Sequence, residues 1–213
     1  MDVRRVETRE VRDVILNKHY AGRMPSVSYA FGLFDGDDMA GALTIGKPAS
    51  NNLCVGLAGP KYSPRVYELN RLVARDGLPE NSMSFFVGAV LRELKNTDLI
   101  LVSYADTGMG HHGYVYQATN WWYTGATKAR TDKYVPGNKH SRHYTNEYNH
   151  LRKVRTSKHR YVFVPNKKLR RVVMADLKYP ILPYPKGEND RYSLGDTQRH
   201  LVLNTLTGES FYE

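Results

Sequence analysis

Apolar residues Val11, Val14 and Ile15 fall at helical spacing behind Thr8, which can cap, and predict a first helix ending near Lys18. The loop His19-Tyr20-Ala21-Gly22-Arg23-Met24-Pro25 follows it. Alternating stretches near 27–34 and 39–45 flank Asp35-Gly36-Asp37-Asp38, residues that accept positive φ, and predict a hairpin. Another alternating strand spans about 65–73. The loop from Ala74 to Asn81 then leads into a helix capped by Asn81 or Ser82, with Phe85, Phe86, Ala89, Val90 and Leu94 on the face that packs on the sheet. The run Leu99-Ile100-Leu101-Val102-Ser103-Tyr104 is continuously apolar and β-rich, as a buried central strand requires. After a Gly/His loop from Thr107 to Gly113 come a short helix over about 113–121 and a strand over about 122–127. Tyr161 to Val164 reads as a strand, and Val172-Val173-Met174 as a strand or edge segment ahead of the proline-rich Tyr179 to Pro185. Residues 186–213 are polar and patternless. The order predicts an α/β (α+β) fold, one mixed sheet with helices on both faces, whose two central strand-helix units supply a parallel pair.

Composition narrows this to one domain over 1–213, since 213 residues with 41% hydrophobic content suffice for one well-filled core. Charge adds a partner. The net charge is +10, and residues 128–171 hold fourteen Lys and Arg against Asp132 and Glu147, so the whole excess sits in that stretch. Tyr134, Tyr144, Tyr148 and Tyr161 and four histidines are interleaved with it, a mixture suited to phosphates and stacked bases. The segment 128–160 is therefore expected to be a basic insertion that contacts nucleic acid, the plainer alternative being a solvated face. No apolar run approaches a membrane span or a signal-peptide core, and the single Cys54 excludes an internal disulfide. Both point to the cytoplasm and to no membrane partner.

Leu99 to Gly125, with Tyr116-Gln117-Ala118-Thr119-Asn120-Trp121 closing the helix, resembles the last strand-helix-strand unit of the GNAT acyltransferase fold. Five blocks together resemble the Mom-type bacteriophage adenine-modification proteins, themselves similar to GNAT enzymes. They are Asn17-Lys18-His19-Tyr20 with Arg23 and Pro25, Glu68-Leu69-Asn70-Arg71-Leu72, Asn81-Ser82-Met83-Ser84, Ser103-Tyr104-Ala105-Asp106, and His111-His112-Gly113 through Trp121. The resemblance covers about residues 15–125. It implies a transferase that converts adenine in double-stranded phage DNA to an N6-carbamoylmethyl derivative, shielding it from host restriction. An N-acyltransferase of a protein or small amine, and a DNA-binding phage protein without catalysis, are the competing readings.

That chemistry assigns candidates. Reaching a paired amino group requires extruding the base and stacking it, for which Tyr20, Trp121 and Trp122 are available, with core packing the alternative for Trp121. The amine is a poor nucleophile that must lose a proton, so a base is needed, and Asp106 at a strand end and His19 are the candidates. Their plain readings are a loop cap and a helix C-terminal cation. Tyr116 stands where GNAT enzymes carry the tyrosine that protonates a leaving thiolate. Glu68 and Arg71, three apart on a strand, face opposite sides unless a bulge intervenes. Ser82, Ser84 and Arg75 are candidates for the donor, at a helix start that attracts anions. The usual Gln/Arg-x-x-Gly-x-Gly/Ala loop is missing there; Arg75 to Ser84 carries one glycine and two acids. Attack on a thioester carbonyl gives an acyl amide, whereas the family's product joins nitrogen to a methylene carbon. The small-molecule donor is therefore open between an acyl donor such as acetyl-CoA and a glycine-derived group. The resemblance also brings in iron, with His19, His111, His112 and Asp106 as a histidine-carboxylate set; base or phosphate contact is the alternative for His111 and His112. Arg23, Glu68, Arg71, His111, His112, Trp121, Lys139, Arg142, Arg152, Lys153 and Arg155 complete the expected DNA-facing set.

Overall fold

A computed structural model describes residues 1–137, 143–188 and 199–213. Lys139 and Arg142 lie outside the described residues. Strand β1 (Asp2–Val6) runs into helix α1 (Thr8–Lys18), whose first turn is closed by the Glu10 carboxylate accepting the Glu7 amide at 2.6 Å, so the helix start is tied at Glu7 and not at Thr8. The hairpin β2 (Tyr29–Asp35) and β3 (Asp38–Gly46) follows, then α2 (Asn51–Ala58), β4 (Val66–Ala74), α3 (Ser82–Glu93) and β5 (Ile100–Asp106). Short α4 (Tyr114–Ala118) leads to β6 (Trp122–Ala126), and β7 (Arg130–Lys133), β8 (Leu151–Arg155) and β9 (Lys158–Phe163) succeed it. The chain closes with α5 (Lys167–Asp176), β10 (Leu201–Asn204) and β11 (Ser210–Tyr212).

The main sheet has the order β1-β2-β3-β4-β5-β9-β6. Only β4 and β5 pair in parallel, and they do so just from Val66 to Glu68 against Ile100 to Val102. Helices cover both faces because each strand alternates. Phe31, Leu33, Leu43 and Leu101 point to α3 and α4, where Phe86, Val87, Val90 and Trp121 complete one core. On the opposite face Ala30, Ala42 and Val73 meet Val11 and Ile15 of α1, and Val66, Ile100, Val102 and Val162 meet α2 and α5. Each large side chain buried this way contributes about 1.5–3 kcal/mol. Phe85, expected on the packed face, is exposed, because α3 turns Phe86, Val87, Val90 and Leu91 inward.

The basic segment is a second sheet. Its order is β11-β10-β8-β7, so two strands come from within 128–160 and two from the C-terminal residues that showed no pattern. The run Val172-Val173-Met174 is helical, part of α5: Asn166 caps the helix through the Lys168 and Leu169 amides, and only Val173 of the three is buried. A β-branched pair suggested extended backbone, but a single inward residue per turn is a helix pattern.

Candidate active site

Beyond Glu68 and Val102 the parallel strands have no further pairing, and a groove of about 800 Å³ occupies the gap between them. A bulge sets what faces it. Thr44 pairs with Arg71 and Ile45 with Leu69, leaving Asn70 as the extra residue. Its side chain is held on both sides, with Thr44 Oγ1 donating to its Oδ1 at 2.7 Å and its Nδ2 donating to the Ser26 carbonyl at 2.9 Å. The inserted residue shifts the alternation, so Glu68 and Arg71 lie on the same face and both line the groove. This is the bulge that the three-residue spacing required.

Arg71 is half-buried. Its guanidinium donates to the carbonyls of Asn70 (2.6 Å) and Arg23 (3.1 Å), which fastens the 19–25 loop over the groove. Arg23 itself contributes that carbonyl and an exposed side chain. Burial raises the Glu68 carboxyl above its ordinary range, against the opposing pull of Arg71 and Lys158. His19 is almost wholly buried, and burial, with Arg71, His111 and Lys158 nearby, lowers it to about 3. Its Nδ1 accepts the Ala21 amide at 3.1 Å, so the neutral ring carries its hydrogen on Nε2. With Nδ1 taken by the Ala21 amide, the nitrogen left to the groove is the donor Nε2. Tyr20 stacks on it with centroids 4.4 Å apart and meets His111 edge-on, and both line the groove.

From the other face of the sheet comes Tyr116, buried, on α4. The Ser103 hydroxyl shares its hydrogen between the Leu69 carbonyl (2.8 Å) and Tyr116 Oη (2.7 Å), orienting the phenol at the gap. Gly113 makes this fit possible: its φ is +77°, and a Cβ there would come within 2.5 Å of the Tyr161 ring. Asp106 is 1% exposed and not among the groove residues. Its carboxylate accepts Thr156 Oγ1 (2.6 Å) and the Gly108 amide (3.0 Å) and pairs with Lys158 Nζ at 2.8 Å. Those donors outweigh its burial and hold it below the usual carboxylate range. The carboxylate expected to serve as base is thus turned to Thr156, Gly108 and Lys158 and not to the groove.

The donor candidates are tied within the protein. Ser82 donates to the Pro79 carbonyl (2.5 Å), Ser84 to the Asn81 carbonyl (2.9 Å), and Arg75 is paired with Asp35. What the groove offers there is the first turn of α3, with Met83 and Ser84 along its wall. Trp121 is fully buried between Tyr116 and Phe163 and is core, out of reach of a flipped base. His112 faces away from the groove, against Gly187 and His159. The proposed iron set therefore does not converge: His19 Nδ1 and the Asp106 carboxylate are engaged elsewhere, His112 points away, and no group of three His, Cys, Asp or Glu residues suits a metal among the described residues. Of the basic residues, Lys153 and Arg155 share one face of β8, and Arg155 pairs with Asp132 at 2.7 Å. Arg152 lies on the opposite face of β8 and donates to the Leu151 carbonyl.

A family model described as the Mom protein family matches residues 1–186. The chain belongs to the Mom protein family. Methylcarbamoylase mom of Escherichia phage Mu is 33% identical over 119 residues, 54% of this chain and 49% of that protein. The chain thus spans about half the length of the curated relative it matches. Among solved structures, NAA60 of Arabidopsis thaliana in complex with acetyl-CoA superposes with a TM-score of 0.50 at 6% identity, covering 76% of this chain and 97% of that one. An N-acetyltransferase from Staphylococcus aureus Mu50 has a TM-score of 0.49 at 13% identity, covering 78% and 98%. The fold of this Mom-family chain is the GNAT-like mixed sheet with helices on both faces. Sequence reasoning missed Lys158 and Tyr104, both groove residues. Lys158 stood in a run of basic residues with nothing to single it out, and Tyr104 in what read as a buried strand.

Proposed function

We propose that the protein is a GNAT-like transferase that modifies the exocyclic nitrogen of adenine in double-stranded DNA to the carbamoylmethyl derivative, protecting phage DNA from restriction. The observation that carries this is the bulge at Asn70, which turns Glu68 and Arg71 together into a groove entered from the opposite face by Tyr116. Adenine N6 loses a proton as its new bond forms, and a carboxylate raised by burial is the group suited to take it. N6 attacks the methylene carbon of a donor that carries the carboxamide, the bond from that methylene to its leaving group breaks, and the electron pair departs with that group. The N6 proton passes to Glu68, and the Tyr116 hydroxyl protonates the leaving group. Neutral His19 donates from Nε2, and Tyr20 stacked on it offers a face to an extruded base. Arg23 and Lys153 hold the DNA backbone.

A small carbonyl-containing donor, on coenzyme A or derived from glycine, fits the wall made by the first turn of α3. The Mu relative's name and the acetyl-CoA held by the Arabidopsis protein support an acyl-type donor. Cells expressing the protein test the reading: their plasmid DNA, hydrolysed enzymatically to nucleosides, is expected to contain mass-shifted deoxyadenosine. Unshifted deoxyadenosine from well-expressed, folded protein overturns it in favour of an acyltransferase for another amine or a DNA-binding protein.

A further inference from the structure

We propose that Lys158, held by the buried carboxylate of Asp106, is the cation that stabilises the donor's leaving group as charge builds on it, and that Asp106 serves the reaction only through Lys158. This rests on the transferase reading above and adds to it a residue and a role.

The register of β5 and β9 sets Asp106 directly opposite Lys158, and Lys158 lines the groove although β9 lies on the far side of β5 from the gap. The carboxylate is the buried partner and the ammonium the accessible one, with side-chain exposures of 1% and 37%. Asp106 Oδ1 is taken by Thr156 Oγ1 and the Gly108 amide, and Oδ2 by Lys158 Nζ. A carboxylate so occupied fixes the direction of its partner. An ammonium carries three hydrogens, and one satisfies Asp106 Oδ2, so the others belong to the groove that Lys158 lines with Ala105, Tyr116 and Glu68. It lines the groove together with His19 of the covering loop and Glu68 of β4, between the walls and not on the outer basic face. The titratable and charged groups around it are His19, Glu68, Arg71, Asp106 and His111. A fixed cation aimed where negative charge develops, in a site partly shielded from water, is an effective electrostatic catalyst. The alternative role of a phosphate grip fits less well, because Lys158 sits among the groove residues with the acid-base groups while β8 carries the outer cations.

The test is the yield of shifted deoxyadenosine from cells expressing each variant at matched levels, with thermal melting of the purified proteins. Lys158→Met is expected to lower the yield about 100-fold, within the range for loss of one charge-stabilising donor. Lys158→Arg, which keeps a charge that can pair with Asp106, is expected to restore it to within about tenfold of wild type. The double variant Asp106→Asn with Lys158→Met removes the orphaned buried carboxylate, so it melts higher than Lys158→Met alone. Its yield is expected to be no lower than that of Lys158→Met, since residues acting as a unit are not additive. Lys158→Met as active as wild type, or a double-variant yield well below that of Lys158→Met, overturns the inference while wild-type activity keeps the transferase reading. A wild type that leaves adenine unshifted removes the reaction, and the inference with it.

Discussion

At the residue scale, the pocket divides its titratable groups by environment. Glu68 is raised by burial, while His19 is lowered to about 3 by burial next to Arg71. The histidine has a consequence for stability. Its folded value lies below the unfolded one, so the unfolded chain binds the extra proton and stability falls with pH from about 6.5 down to about 3. His200, lowered to about 4 by burial near Lys153 and Arg155, acts in the same direction. His19→Gln is expected to flatten the melting temperature between pH 6.5 and pH 4 relative to wild type; parallel curves would show that the ring titrates normally. The Asp106 and Lys158 pair behaves differently. Lys158→Met leaves a carboxylate that is 1% exposed without its ion pair, a loss of about 3–5 kcal/mol measurable by denaturant unfolding. The residue types for this chemistry were legible in the sequence, because a histidine and tyrosine in a polar loop and an aspartate after an apolar strand are unusual there. The role of each was not. Asp106 reads as a base until its partner is known, and that partner stands 52 positions away on a strand inserted beside it.

At the scale of elements, the device that matters is one extra residue in β4. Strict alternation would send Glu68 and Arg71 to opposite faces; Asn70 bulges out, accepts a hydrogen bond from Thr44 of β3, donates one to the Ser26 carbonyl in the loop before β2, and brings them together. Asn70→Ala removes both partners of that bulge and is expected to cost about 1–3 kcal/mol and to lower adenine modification more than stability alone explains. Unchanged yield in that variant would mean that the bulge does not organise the groove. Gly113→Ala is expected to be comparably destabilising, since Tyr161 has no room to retreat from a new Cβ 2.5 Å away. Most main-sheet elements were legible from periodicity, including the parallel pair, because each strand buries one side of a clear alternation. The bulge was not, since it depends on which partner residue faces which. Nor were β1, which has Val3 and Val6 as its apolar positions, or α2, which at eight residues is too short to show a helical period, or β10 and β11, where Val202 is the single fully buried side chain.

At the scale of the molecule, part of the charge excess lies on a second sheet assembled from the basic insertion and the C-terminal residues, and part on α5, with Thr156, Ser157 and Lys158 joining that sheet to the catalytic end of β5. The composition foresaw the cations but not the sheet, because β8 carries three basic side chains and little apolar surface. Duplex binding by the protein is expected to weaken steeply with salt, and Lys153→Gln to reduce the slope of log K against log salt by about 1, near one unit for the phosphate no longer neutralised. An unchanged slope would move the DNA footprint off this sheet. No helix among the described residues is long and apolar enough to cross a membrane. The account turns on Glu68 as the base of a groove shared with Tyr116, and the most direct measurement is the shifted-deoxyadenosine fraction in DNA from cells expressing wild type and Glu68→Gln. The expected result is abundant product with wild type and a decrease of at least about 100-fold with the variant at equal protein level and melting temperature. Equal product from the two would contradict it.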